Sequence, residues 1–182
     1  FDSEEMALRL LWKGEFASIN HGSFQARGHD KIAFPPGIPF HRLESMDDDW
    51  PYKGKTDYLF PHDQGYQYRG YSLDSDKRPT FRYHYGEVAV EDFFEDRLDE
   101  EGNAYFIRRL TFAAEEAQTP FFFRAASGKK VEQDENGWKI DNLNLRVVGE
   151  FEATIRPGEP EELLLSLTLP AGKTELKLEY RW

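Results

Sequence analysis

A chain of 182 residues with 39% hydrophobic and 15% aromatic side chains carries enough large rings to fill one core, which argues against disorder. Its net charge of −11 repels phosphate backbones and anionic lipid, which argues against nucleic acid as a partner. The absence of Cys removes disulfides, thiolate catalysis and Cys-ligated metal.

Along the chain the pattern is one of strands. Met6, Leu8, Leu10 and Trp12 alternate with polar neighbours and predict a first strand, although Ser3-Glu4-Glu5 also suits a helix cap. Second and third strands are expected near 15–20 and 23–26. Residues 34–65 differ. Pro35, Pro36, Pro39, Pro51 and Pro61 fall here, and Pro cannot donate to a ladder, so the stretch reads as a long irregular insertion.

From Tyr66 onward strands follow quickly. Phe81, Tyr83 and Tyr85 face one way; Thr80, Arg82 and His84 face the other. Gly86 turns the chain into 87–94, and Glu100-Glu101-Gly102-Asn103 turns it into 104–113. Pro120 opens a strand whose run Phe121-Phe122-Phe123 implies burial on both faces. Asn136-Gly137 is a type I′ hairpin signal. Then come inward rows of Leu143, Leu145 and Val147; of Phe151, Ala153 and Ile155; and of Leu163, Leu165, Leu167 and Leu169. The last strand sets Leu176, Leu178, Tyr180 and Trp182 against Glu175, Lys177, Glu179 and Arg181. Roughly ten to twelve strands at this spacing predict an all-β fold, an antiparallel two-sheet β-sandwich of jelly-roll or supersandwich type, in one domain over 1–182. No run of about 18 apolar residues exists, so no membrane span is expected. The start at Phe1, without a signal-like segment, reads as a domain cut from a larger protein.

Chemistry is sparse. His21, His29, His41, His62 and His84 show no compact ligand spacing, so no metal is assigned. Asp74-Ser75-Asp76 lacks the Gly and distal Glu of a calcium loop and reads as a turn; Asp47-Asp48-Asp49 reads as a solvated run. Glycoside hydrolysis needs two carboxylates about 5–9.5 Å apart, and Glu87, Glu91 and Asp92 on one strand do not meet that spacing. GxSxG, GxGxxG and GxxxxGK[ST] are missing, so no catalytic residue or cofactor is assigned. The remaining lead is aromatic. Trp50, Tyr52, Tyr58, Tyr66 and Tyr68 flank His62, Asp63 and Gln64, and flat rings beside hydrogen-bonding groups suit sugars. The candidate ligand-binding set is Trp50, Tyr52, Tyr58, His62, Asp63 and Tyr66; the alternative is that these rings pin the loop to the sandwich.

Tyr68-Arg69-Gly70-Tyr71-Ser72-Leu73, Arg78-Pro79-Thr80-Phe81-Arg82-Tyr83 and Gly86-Glu87-Val88-Ala89-Val90-Glu91-Asp92-Phe93 together resemble an RGYxLD…RPTFxYxxGxVxVED pattern. It belongs to large secreted bacterial multidomain proteins that join c-type cytochrome and sugar-dehydrogenase-like propeller segments to uncharacterised β domains. The resemblance implies a periplasmic or secreted address and neighbouring domains as partners. The haem motif CxxCH is missing here, so no haem role carries over. The expected function is a non-catalytic β-sandwich module that binds carbohydrate or docks neighbouring domains. The alternative is a glycan-active enzyme using carboxylate or His residues.

Overall fold

A computed structural model describes residues 1–14, 17–20, 23–26, 28–50 and 65–182. The first strands are β1 (Leu10–Lys13), β2 (Ala17–Asn20), β3 (Ser23–Ala26) and β4 (His29–Ala33), where β1 pairs with β4 and β2 with β3. The short β5 (Phe40–His41) lies inside the Pro-rich stretch. Then follow β6 (Tyr66–Leu73), β7 (Pro79–Tyr85), β8 (Val88–Leu98), β9 (Ala104–Ala114), β10 (Gln118–Gly128) and β11 (Val131–Asp134). The chain ends with β12 (Gly137–Ile140), β13 (Leu143–Val148), β14 (Glu152–Arg156), β15 (Glu161–Leu169) and β16 (Gly172–Arg181). Eight strands build a large sheet in the order β11-β12-β13-β16-β9-β8-β7-β6, and four build a small one, β14-β15-β10-β5. Their ladders are antiparallel and neither sheet closes on itself. No described helix is long and apolar enough to cross a membrane.

Period-two patterning builds the interior. Leu176, Leu178 and Tyr180 of β16, Leu110 and Phe112 of β9, and Tyr83 and Val90 of β7 and β8 are buried in one cluster with Phe121, Phe123, Leu163, Leu165, Leu167 and Leu169 of the small sheet. Burying each such side chain contributes on the order of 1.5–3 kcal/mol. The Phe run of β10 is buried on both faces, as expected. Phe121 and Phe123 face the large sheet, while Phe122 packs with Leu43, Trp50 and Leu164 in a second cluster.

One polar pair interrupts the main core. Arg108 donates to both carboxylate oxygens of Asp92 at 2.8 and 2.7 Å, and Tyr83 donates to the same carboxylate at 3.2 Å. Burial pushes the Asp92 carboxyl up, and Arg108 opposes that rise.

Four expectations change. The first strand begins only at Leu10, because residues 3–6 form a turn whose N–H groups at Glu4 and Glu5 are capped by Asp2, and Met6 takes a φ of 49°. Leu11 therefore faces the core, with Leu10 and Trp12 half-exposed. The hairpin at 134–137 forms, but Asp134 pairs with Gly137, so the two loop residues are Glu135 and Asn136. Neither takes a positive φ, and Asp134 accepts the Asn136 N–H at 2.7 Å. Ala153 and Ile155 are exposed, because β14 is the small sheet's edge strand. Strands β4 and β5, which the sequence pattern does not announce, complete the small pairings.

Candidate functional site

The aromatic lead divides in two. Tyr52, Tyr58, His62 and Asp63 lie outside the described residues, as do His21 and Gln64. Trp50 and Tyr66 are described, and both are core residues, 3% and 2% exposed. The Trp50 indole N–H donates to the Ile38 carbonyl at 2.6 Å, and the Arg124 and Arg156 guanidiniums stand 5.2 and 6.0 Å from its ring centre. Tyr66 stacks on Tyr85 at 4.3 Å and donates to the Phe40 carbonyl; burial drives its hydroxyl pKa well above the usual value. Neither ring offers a face to a sugar. Trp50 packs the Pro-rich stretch onto the small sheet, and Tyr66, on β6, ties it to the large sheet through Phe40.

An ion network holds that stretch down. Arg156 donates to Glu162 and to the carbonyls of Met46 and Asp48, while Arg124 donates to Glu162 and to the Pro36 carbonyl. Asp48 accepts N–H groups from Glu44 and Ser45 at 2.8 Å each, which lowers its pKa. Asp74 likewise accepts from Asp76 and Arg78, so both Asp-rich segments are capped turns.

The described His residues and the buried Asp92 are not brought together. His29 is exposed beside Asp30. His41 is buried between Trp50, Tyr66 and Tyr85; its Nδ1 lies 3.1 Å from the Arg42 carbonyl, its Nε2 has no partner, and burial lowers its pKa. His84 is half-buried on the large sheet, and no described group of three or more His, Asp or Glu is placed to hold a metal ion. Asp92, whose pKa is raised, faces the closed core rather than a cleft.

Two concavities of about 470 Å³ lie among the described residues: one beside Trp50, lined also by Pro35, Asp49, Arg124 and Arg156, and one on the outer face of the large sheet, where unpartnered polar side chains converge. The second, a groove, is walled by the Asp134–Gly137 turn and floored by Asn144, Arg146, Glu179 and Arg181. Cross-strand register explains the convergence. Asn144 sits opposite Arg181 and Arg146 opposite Glu179, so four polar side chains share one face while Leu145, Leu178 and Tyr180 point into the core. Gly137 sets the wall. A Cβ there would come within 2.4 Å of the Leu145 carbonyl oxygen, so the end of the hairpin approaches β13 this closely only without a side chain.

Some of these groups are already engaged. Arg181 donates to Asp99 at 3.1 Å and stacks on Tyr105 with its guanidinium 4.0 Å from the ring centre, and Glu179 accepts from Lys177 at 2.8 Å. Arg146 and the Asn144 side chain have no partner among the described residues. The volume lies within the range of small-ligand sites, and the lining is richer in donors and acceptors than most. Sequence reasoning passed over these residues. Asn144 and Arg146 show only as the polar half of an alternating strand, and nothing in that pattern says that the neighbouring turn makes a wall beside them. No protein-family model, curated protein or solved structure matches this chain.

Proposed function

We propose that this domain is a non-catalytic β-sandwich module of a secreted multidomain protein, and that it binds carbohydrate in the groove on the outer face of the large sheet. The observation that carries the reading is the unpartnered Arg146 guanidinium and Asn144 amide side by side in a concave site with Asp134, Glu135 and Glu179. Together they present donors and carboxylate acceptors in one patch, the arrangement that a rim of sugar hydroxyls matches. Tyr105 supports the Arg181 edge of the site.

Isothermal titration against a panel of neutral and acidic oligosaccharides tests the proposal. Millimolar binding that Arg146→Ala and Asn144→Ala each weaken about tenfold, a loss of one or two hydrogen bonds, supports it. Trp50→Phe leaves binding unchanged, because Trp50 belongs to the core. Silence across the panel rejects the sugar reading. The enzyme alternative draws on the same three groove carboxylates. Release of reducing ends from any panel member, abolished by Glu135→Gln or Glu179→Gln, would put it first.

A further inference from the structure

Among the described residues, strand β6 is the edge of the large sheet, and β7 is the one strand hydrogen-bonded to it. Among its eight residues Tyr66 alone is buried. Edge strands are normally blunted by shortness, Pro, Lys or other charge, or by a β-bulge. The opposite edge obeys this rule, since β11 has four residues and carries Glu132 and Asp134. β6 has no Pro or Lys, its one charge is Arg69, and the one such device it carries is a bulge at that residue. Of the six exposed large hydrophobic side chains among the described residues, three stand here: Tyr68 at 36%, Tyr71 at 63% and Leu73 at 54%.

A bulge gives the edge its pattern. Tyr68 pairs with Tyr83 and Gly70 with Arg82, so Arg69 is an extra residue. In a regular strand Tyr68 and Tyr71, three apart, point to opposite faces. Here both share the face of their partners Tyr83 and Phe81. Gln67 and Ser72, opposite His84 and Thr80, share the other.

We infer that β6 is a self-association surface, and that a second copy of this chain adds its own β6 antiparallel across a two-fold axis to continue the sheet. Tyr68 then stands opposite Tyr71 of the second copy, Tyr66 opposite Leu73, Gln67 opposite Ser72, and Arg69 opposite Gly70. Every pair matches in face. Aromatic residues meet aromatic or aliphatic ones, amide meets hydroxyl, and no like charges face each other. Gly70 has nothing within 4 Å of the position a Cβ would take, which leaves Arg69 of the second copy room to lie across it. The net charge of −11 on each copy opposes the approach but lies outside the strand, so salt strengthens the dimer. This inference does not depend on the sugar site, which β11, β12, β13 and β16 hold near the other edge.

Sedimentation velocity and disulfide trapping on the full chain test it together. The expected result is a monomer–dimer equilibrium that tightens between low and high salt and weakens at least about tenfold in Tyr71→Lys, where a charge replaces an aromatic cross-strand pair. The chain has no Cys, so the trap is clean. In Gln67→Cys/Ser72→Cys the two thiols of opposing strands stand at the Cα separation of directly opposite residues, about 4.5–5.5 Å, within disulfide reach. Oxidation then gives a covalent dimer. Gln67→Cys alone stays monomeric on a denaturing gel, because its counterpart lies five residues away, roughly 17 Å. A chain that remains monomeric at about 100 µM in high salt, where repulsion is screened, overturns the inference, whatever other strand the edge accepts. So does a dimer that the double variant fails to trap.

Discussion

The two sides of the small sheet bury similar side chains by different means. On the inner side Phe121, Phe123, Leu163 and Leu165 meet a second sheet, whose backbone polar groups are largely paired within their own ladders. On the outer side Phe122 and Leu164 meet Leu43 and Trp50, which stand on chain without regular structure. A covering of that kind leaves carbonyls unpaired, and Arg124, Arg156 and the Trp50 indole supply their donors. The comparison teaches that an aromatic on a Pro-rich stretch marks a second core when charged residues stand beneath it. Arg124, Arg156 and Glu162 are therefore part of how the stretch folds.

Substitutions on the two sides sharpen the contrast. Phe123→Ala on the inner side opens a cavity that a sheet cannot collapse to fill, and chemical denaturation is expected to record a loss of about 3–5 kcal/mol. On the outer side Trp50→Phe keeps most of the buried area but leaves the Ile38 carbonyl unpaired, with an expected loss of about 1–3 kcal/mol by the same measurement. Arg156→Lys keeps the charge and loses the fork that reaches Glu162 and two carbonyls together, for about 1 kcal/mol. If Arg156→Lys costs as much as Phe123→Ala, the two sides do not differ in kind.

The smallest effect is a pH dependence, centred on the outer side at His41. His41 has its pKa lowered by burial, so the fold favours the neutral ring. Its contribution is fully present above the unfolded value of about 6.5 and is lost as pH falls from there through the lowered folded value. Asp48, Asp74 and Asp99 have lowered pKa values through hydrogen bonds, so their contributions hold above about pH 4 and fade below it. Thermal melts at pH 7 and pH 5.5 isolate His41 from these carboxylates. The drop in melting temperature between them should shrink in His41→Phe.

Much of the architecture was legible because burial and alternation coincide. In β7, β15 and β16 apolar residues alternate over 81–85, 163–169 and 176–180 and the facing sheet covers most of each row, so period two identifies the inner face. Where coverage ends, the pattern misleads. Ala153 and Ile155 alternate as well as any inner row, yet they lie on an edge strand, and alternation says nothing about whether a partner lies above. The first strand failed for a local reason, the turn that Asp2 caps. At the candidate site the sequence pointed to rings, since rings stand out in composition. The groove is instead made by Asn144 and Arg146, which are ordinary in a strand, and by the position of the neighbouring hairpin.

That position rests on the missing side chain at Gly137. Since the turn lies against the Leu145 carbonyl with no space for a methyl group, Gly137→Ala must shift the end of the β11–β12 hairpin away from β13. Such a change alters the depth of the recess without removing any atom of its polar lining. The shape of the groove is therefore set from a position that its polar side chains do not mark.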